Sequence, residues 1–140
     1  MRLALALAVA LQSLVAHAAD PGVEAAQSYM LEASVDPASL QVGGAGLLRL
    51  AIKPSAKTHV HPQAPLKVTL SASPGLTLAK VQLGRADLAD PKAEAPRFEA
   101  PFKATAAGTQ EVTAKVDFFI CSDAWCVKQV REVKVAVDVK

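Results

Sequence analysis

The sequence predicts an all-β domain, an immunoglobulin-like antiparallel β-sandwich of seven to eight strands. Three observations carry this. Short runs in which apolar and polar residues alternate recur through the chain, the period of a strand with one buried face. Turn-forming residues, drawn from 7 Gly and 9 Pro, separate them at regular intervals. Beyond the first residues no segment carries an apolar stripe at the 3.6-residue period of a helix. So many antiparallel strands over one core close most readily as two packed sheets, with a small barrel as the alternative.

The 140 residues allow one ordinary domain. A hydrophobic share of 51% excludes a disordered chain, and two Cys are too few for a disulfide-dense miniprotein. Fifteen basic against 13 acidic residues, with no basic block, argue against nucleic acid as the main partner.

Residues 1–18 read as a signal peptide. Arg2 precedes the apolar run Leu3 to Leu11, and Ala16-His17-Ala18 offers the small-x-small pattern of a signal peptidase site, with cleavage after Ala18 or Ala19. The run falls short of the roughly 20 apolar residues that a membrane span requires. No Cys follows it to take a lipid, and no stable membrane insertion is expected after cleavage. The short Ala/Leu-rich leader looks bacterial, which would place the chain in the periplasm, where paired cysteines tend to be oxidised.

Residues 19–27 are expected to be a mobile lead-in, and 28–140 the domain. Tyr29 to Val35 is the first candidate strand, broken by Asp36-Pro37. Leu47 to Ile52 reads as a buried strand, and Thr58 to His61 as a short extended piece ended by Pro62 and Pro65. Leu66, Val68 and Leu70 share one face, and Pro74-Gly75 turns the chain into Leu76 to Leu83. Gly84 to Pro96 lacks an apolar period and reads as a long exposed loop, a length that is uncommon without a purpose. Phe98, Ala100 and Phe102 alternate next. Val112, Ala114, Val116 and Phe118 form one face of a long strand, and Val130, Val133, Val135, Val137 and Val139 the last, with a bulge expected near Arg131-Glu132 where the alternation slips.

The chemistry-bearing stretch runs from Phe118 to Lys128. Two strong strands flank Ser122 to Trp125, so Cys121 and Cys126 stand at the mouths of one hairpin, within reach of a disulfide. The spacing is C-x4-C rather than C-x-x-C. Three readings follow. A structural bond closing so short a loop contributes roughly 2 kcal/mol in the chain-entropy model, less than a bond between distant strands. A bond across a tight hairpin is also more often labile, which favours thiol–disulfide exchange. The third reading is a metal, held by the two cysteines with His59 and His61, which share a face if Thr58 to His61 is a strand. Nothing in the sequence brings those imidazoles to the sulfurs. No metal and no cofactor are therefore assigned.

The run Phe119-Ile120-Cys121-Ser122-Asp123-Ala124-Trp125-Cys126, followed by the Val-alternating last strand, resembles the periplasmic N-terminal domain of the thiol:disulfide interchange protein DsbD. Upstream, His59 to Val68 resembles the segment before a central strand in short exported relatives of that domain. The likeness spans roughly Val42 to Val139. It implies an immunoglobulin-like sandwich whose cysteine pair, here Cys121 and Cys126, takes electrons from a membrane-embedded donor and passes them to periplasmic thiol proteins. The donor is expected to act in trans. The family also shields its pair with a loop bearing aromatic residues. The matching stretch here is about Arg85 to Phe98, and its centre, Ala86 to Pro96, has none, while the cysteine spacing is one residue tighter than the best-known members use.

Two functions are thus expected in competition. One is a periplasmic exchange module in which a partner thiolate attacks one sulfur, Cys126 by the resemblance, and the freed cysteine later resolves the mixed disulfide. Asp123 would oppose thiolate formation and Lys128 favour it. The alternative is a non-enzymatic immunoglobulin-like binding domain with a purely structural hairpin bond.

Overall fold

The computed structural model describes residues 19–140, so the expected export leader lies outside the described residues. The first departure from expectation comes at once. The lead-in holds a short helix, α1 (Pro21–Ala26), which Asp20 caps by accepting from the Gly22 amide with Pro21 in the first turn. Its Ala25 is fully buried, and the helix packs against the last strand of the domain. Alanine-rich composition looked like a lead-in without structure, but a cap and one buried methyl suffice for a single turn and a half against a sheet.

Ten strands follow among the described residues. They are β1 (Tyr29–Asp36), β2 (Ser39–Leu40), β3 (Ala45–Pro54), β4 (His59–Val60), β5 (Lys67–Ala72), β6 (Leu76–Leu78), β7 (Gln82–Leu83), β8 (Arg97–Ala104), β9 (Gly108–Cys121) and β10 (Cys126–Val139). Three of them are only two residues long, and the other seven make the expected sandwich. One sheet has the order β1-β3-β8-β6. The other runs β2-β10-β9-β5-β7, with β4 also paired to β9 beyond the end of β5. All pairings are antiparallel except β2 on β10, which is parallel, so the second sheet is mixed rather than purely antiparallel.

The core lies between the sheets and follows the period-2 pattern. From β9 come Val112, Ala114, Val116, Phe118 and Ile120, and from β5 Val68 and Leu70. They face Leu48, Leu50 and Ile52 of β3 and Phe98, Ala100 and Phe102 of β8. Each such side chain contributes on the order of 1.5–3 kcal/mol relative to exposure. Gly46 has a packing reason to lack a side chain, because a Cβ there would run into the ring of Phe102 on the paired strand.

Two expectations about strands are corrected. Leu76 to Leu83 is not one strand: β6 pairs with β8, and β7 pairs with β5 in the other sheet, so the chain changes sheets between them. The bulge near Arg131-Glu132 is also absent, since β9 and β10 pair without interruption from Cys121↔Cys126 to Gly108↔Val139. The slip in alternation has another cause. Gln129 takes the inward position and is buried, while Val130 points out and is 49% exposed. Buried Gln129 accepts a hydrogen bond from the Tyr29 hydroxyl at 2.9 Å, which satisfies both groups. Arg131 lies over the Tyr29 ring and donates to its hydroxyl at 3.3 Å. Tyr29 in turn meets Phe118 edge-on, at 4.9 Å between ring centres. Burial pushes the Tyr29 phenol up, and the neighbouring Arg131 guanidinium partly offsets it.

Candidate functional site: the cysteine hairpin and its third strand

Cys121 and Cys126 are cross-strand partners at the turn end of the β9–β10 ribbon, with Cα atoms 4.1 Å apart, and they form a disulfide. The turn beyond them is organised by Ser122. Its amide donates to the Trp125 carbonyl at 2.8 Å, and its hydroxyl accepts from the amides of Ala124 and Trp125 at 3.1 and 3.3 Å. Trp125, a candidate shield for the sulfurs, is half-buried and packs against the core cluster.

The register shows which face carries the bond. Ile120 is buried in the core beside its partner Val60, and its other partner Val127 packs partly buried against the core, so Cys121, one residue on, projects from the outer face, and its partner Cys126 with it. The two sulfur-bearing residues nevertheless differ. Cys121, in the middle of three strands, is only 1% exposed, whereas Cys126 is exposed.

The third strand is the unexpected part. Across β9 from Cys126, the residue paired with Cys121 is His59 of β4, and the next rung is Val60↔Ile120. The row His59–Cys121–Cys126 therefore crosses three strands on one face. The sequence offered no route for these imidazoles to the sulfurs, and the structure supplies one for His59. His61 has a different task. Its amide donates to the Phe119 carbonyl at 2.8 Å, and its Nδ1 accepts from the amides of Gln63 and Ala64 at 3.1 and 2.8 Å, holding the Pro62-to-Pro65 turn. With one imidazole nitrogen so engaged and both sulfurs bonded to each other, the four-ligand set considered from the sequence does not assemble. No group of three or more His, Cys, Asp or Glu side chains is placed for a metal among the described residues.

The long loop from Gly84 to Pro96 supports this arrangement from behind. It opens with a 3-10 turn, Arg85–Asp87, and Arg85 donates through Nε and Nη2 to the carbonyls of Ala64 (3.1 and 2.5 Å) and through Nη2 to that of His61 (2.5 Å). The Asp87 carboxylate accepts from the Gly84 amide at 2.8 Å and pairs with Lys80, and these contacts hold its carboxyl below the usual carboxylate range, Lys80 contributing most. Loop and β3–β4 connection wall a cleft of about 620 Å³. His59 lines it and neither cysteine does, so the loop braces β4. Arg85 was missed as a site-shaping residue, since a lone Arg opening a polar loop gives no local signal of the carbonyls it will meet.

Lys128 follows Cys126 on the same face, with its Nζ 3.9 Å from the Asp117 carboxylate, and Asp123 is exposed at the turn. No helix among the described residues is long and apolar enough to cross a membrane.

No family model matches the chain, and no curated protein does. Solved structures do resemble it. Native alpha-2-macroglobulin of Escherichia coli matches with a TM-score of 0.52 at 19% identity over 79% of this chain. A fragment of the same protein, from domain MG7 to the C-terminus, matches at 0.50 and 20% identity over 81% of this chain. The chain spans only 6% of the first and 17% of the second. A chain of the complex between zinc 2-glycoprotein and prolactin inducible protein from human seminal plasma matches at 0.52 and 18% identity, over 81% of this chain and 97% of that one. At such identities the likeness concerns architecture alone: the chain folds as an immunoglobulin-like β-domain with a hairpin disulfide.

Proposed function

We propose that this domain is a thiol–disulfide exchange module acting through Cys121 and Cys126. The observation that carries the reading is the asymmetry of the pair. The bond joins residues already held as cross-strand partners, where a staple adds little, and it presents one exposed cysteine, Cys126, backed by a buried one, Cys121. Exposure decides which sulfur an incoming thiolate reaches. A partner thiolate attacks Cys126 Sγ, a mixed disulfide forms there, and Cys121 leaves as the thiolate that later resolves it. The resemblance to the DsbD N-terminal domain supports a membrane-embedded donor in trans, periplasmic thiol proteins as acceptors, and the periplasm as the compartment. The competing interaction-domain reading makes the bond inert.

The two part on the reduction potential of the pair, measured by thiol trapping across glutathione buffers. A value between about −270 and −120 mV, the range of exchange proteins, is expected, and one below about −300 mV marks a structural bond and overturns the proposal. Cys126→Ser should stay folded and lose exchange with a model dithiol protein. Cys121→Ser should accumulate the mixed disulfide at Cys126, since the resolving sulfur is gone.

A further inference from the structure

The exchange reading leaves one reacting atom without an accounted partner. When Cys126 Sγ is attacked, Cys121 must leave as a thiolate from the middle of the sheet, at a residue only 1% exposed. A buried anion without a partner is costly, and the leaving thiol's acidity helps to set the rate. The Cys121 side chain projects from the outer face. On that face the position directly across from Cys121, on the side away from Cys126, is His59. Side chains of directly opposed residues on one face have Cβ atoms about 5 Å apart, within reach of an imidazole and a sulfur.

We infer that His59 is the acid–base partner of the Cys121 sulfur, an inference that rests on the exchange reading. In the opening direction the partner's sulfur bonds to Cys126 Sγ and the Cys126–Cys121 bond breaks. The electron pair goes to Cys121 Sγ, and the His59 imidazolium gives that sulfur its proton. In the closing direction neutral His59 takes the proton from the Cys121 thiol. The resulting thiolate attacks Cys126 Sγ and expels the partner thiolate. Atoms and charge balance with the partner thiol as the sole co-reactant.

Two further features fit this role. His59 is exposed and lines the cleft beside β4, so its imidazole exchanges protons with solvent while Cys121 does not. His61, the other imidazole nearby, is committed through Nδ1 to two backbone amides. The charged groups that face His59 from the cleft are Lys53, Lys57, Arg85, Lys92 and Glu94. From the β9–β10 side come the Cys121 sulfur itself and, further along the face, Lys128 with Asp117. Among these, only the Cys121 sulfur lies on the rung opposite His59.

The test uses the oxidised mature chain and glutathione as the attacking thiol. The rate of bond opening is followed by thiol trapping between about pH 5.5 and 8.5. Each rate is divided by the fraction of glutathione present as thiolate. In the wild type this quotient should rise several-fold as the imidazole becomes protonated, because a leaving thiol that is given its proton departs faster. His59→Gln should flatten the profile while leaving the melting temperature unchanged, because the side chain is exposed. His61→Asn, whose side-chain oxygen can still accept the turn amides, should keep the rise. Coincident wild-type and His59→Gln profiles overturn the inference and leave the exchange reading standing, as does a rise lost only in His61→Asn. A wild-type bond that glutathione does not open at any of these pH values, with the fold intact, overturns both.

Discussion

Strand β9 has two successive neighbours on the same side, and they teach different things. Along Lys67–Ala72, β5 pairs with it over six rungs, Val68 and Leu70 entering the core against Val116 and Ala114. Further along, β4 pairs over two rungs only, His59↔Cys121 and Val60↔Ile120. The first neighbour is held by burial. The second has a single buried side chain, Val60, and depends on contacts outside the sheet: the His61 turn and the Arg85 hydrogen bonds to the His61 and Ala64 carbonyls. One stretch of ladder is made of core and the other is positioned by polar groups. The polar one carries the histidine beside the disulfide.

The sharpest way to break the comparison is to remove core from the β5 side. Leu70 is 3% exposed, and Leu70→Ala should cost about 3 kcal/mol by lost transfer energy and a residual cavity. Urea unfolding should report this as a lower midpoint at unchanged slope, with the hairpin bond still as reducible as before relative to the folded fraction. A loss below about 1 kcal/mol would show that the sheets close over the gap, and that β5 is less tightly packed than its burial indicates.

Next in size is the brace under β4. Arg85→Met keeps most of the stem and removes the donors to the Ala64 and His61 carbonyls. Leaving part-buried acceptors without a partner should cost about 1–2 kcal/mol. The effect should be local. Exchange of the His61 amide, which donates to Phe119, should quicken about tenfold or more, while the Leu70 amide, which donates to Val81 beside β5, keeps its protection. Equal loosening of both amides would mean that β4 and β5 open as one unit and that the contrast drawn between them is wrong.

The same contrast explains what could be read from the residues. Val68, Leu70, Val112, Ala114, Val116 and Phe118 announce their strands because burial imposes a period of two, and a period is visible in one dimension. The Cys121–Cys126 pairing was legible for a similar reason, since two strands joined by four residues leave little freedom of register. The slip in alternation reads as a bulge near Arg131-Glu132, because an inward polar residue, Gln129, breaks the apolar period without breaking the ladder. Its hydrogen bond to Tyr29 spans a hundred positions in sequence. His59 beside Cys121 was not legible at all. That rung depends on where a turn between two prolines returns the chain, and on an arginine far along the sequence that meets two carbonyls of the turn.

The smallest effect tests the far end of that chain of support. Asp87 accepts from the Gly84 amide and pairs with Lys80, which fixes the 3-10 turn from which Arg85 projects. Its carboxyl is held below its ordinary value in the folded protein, so the folded state binds the proton less readily than the unfolded one. The stability it contributes is therefore present in full above the ordinary carboxylate range, about pH 4, and is lost as the pH falls through the lower folded value. Asp87→Asn should accordingly raise the exchange of the Gly84 amide at pH 6, and the difference from wild type should shrink as the pH falls below the ordinary carboxylate range and the wild-type carboxyl takes up its proton. The His61 amide should follow the same trend more weakly, because it is reached only through Arg85. If Gly84 responds and His61 does not, the loop holds its own turn but does not transmit it. β4 would then owe its register to Val60 and the His61 turn alone.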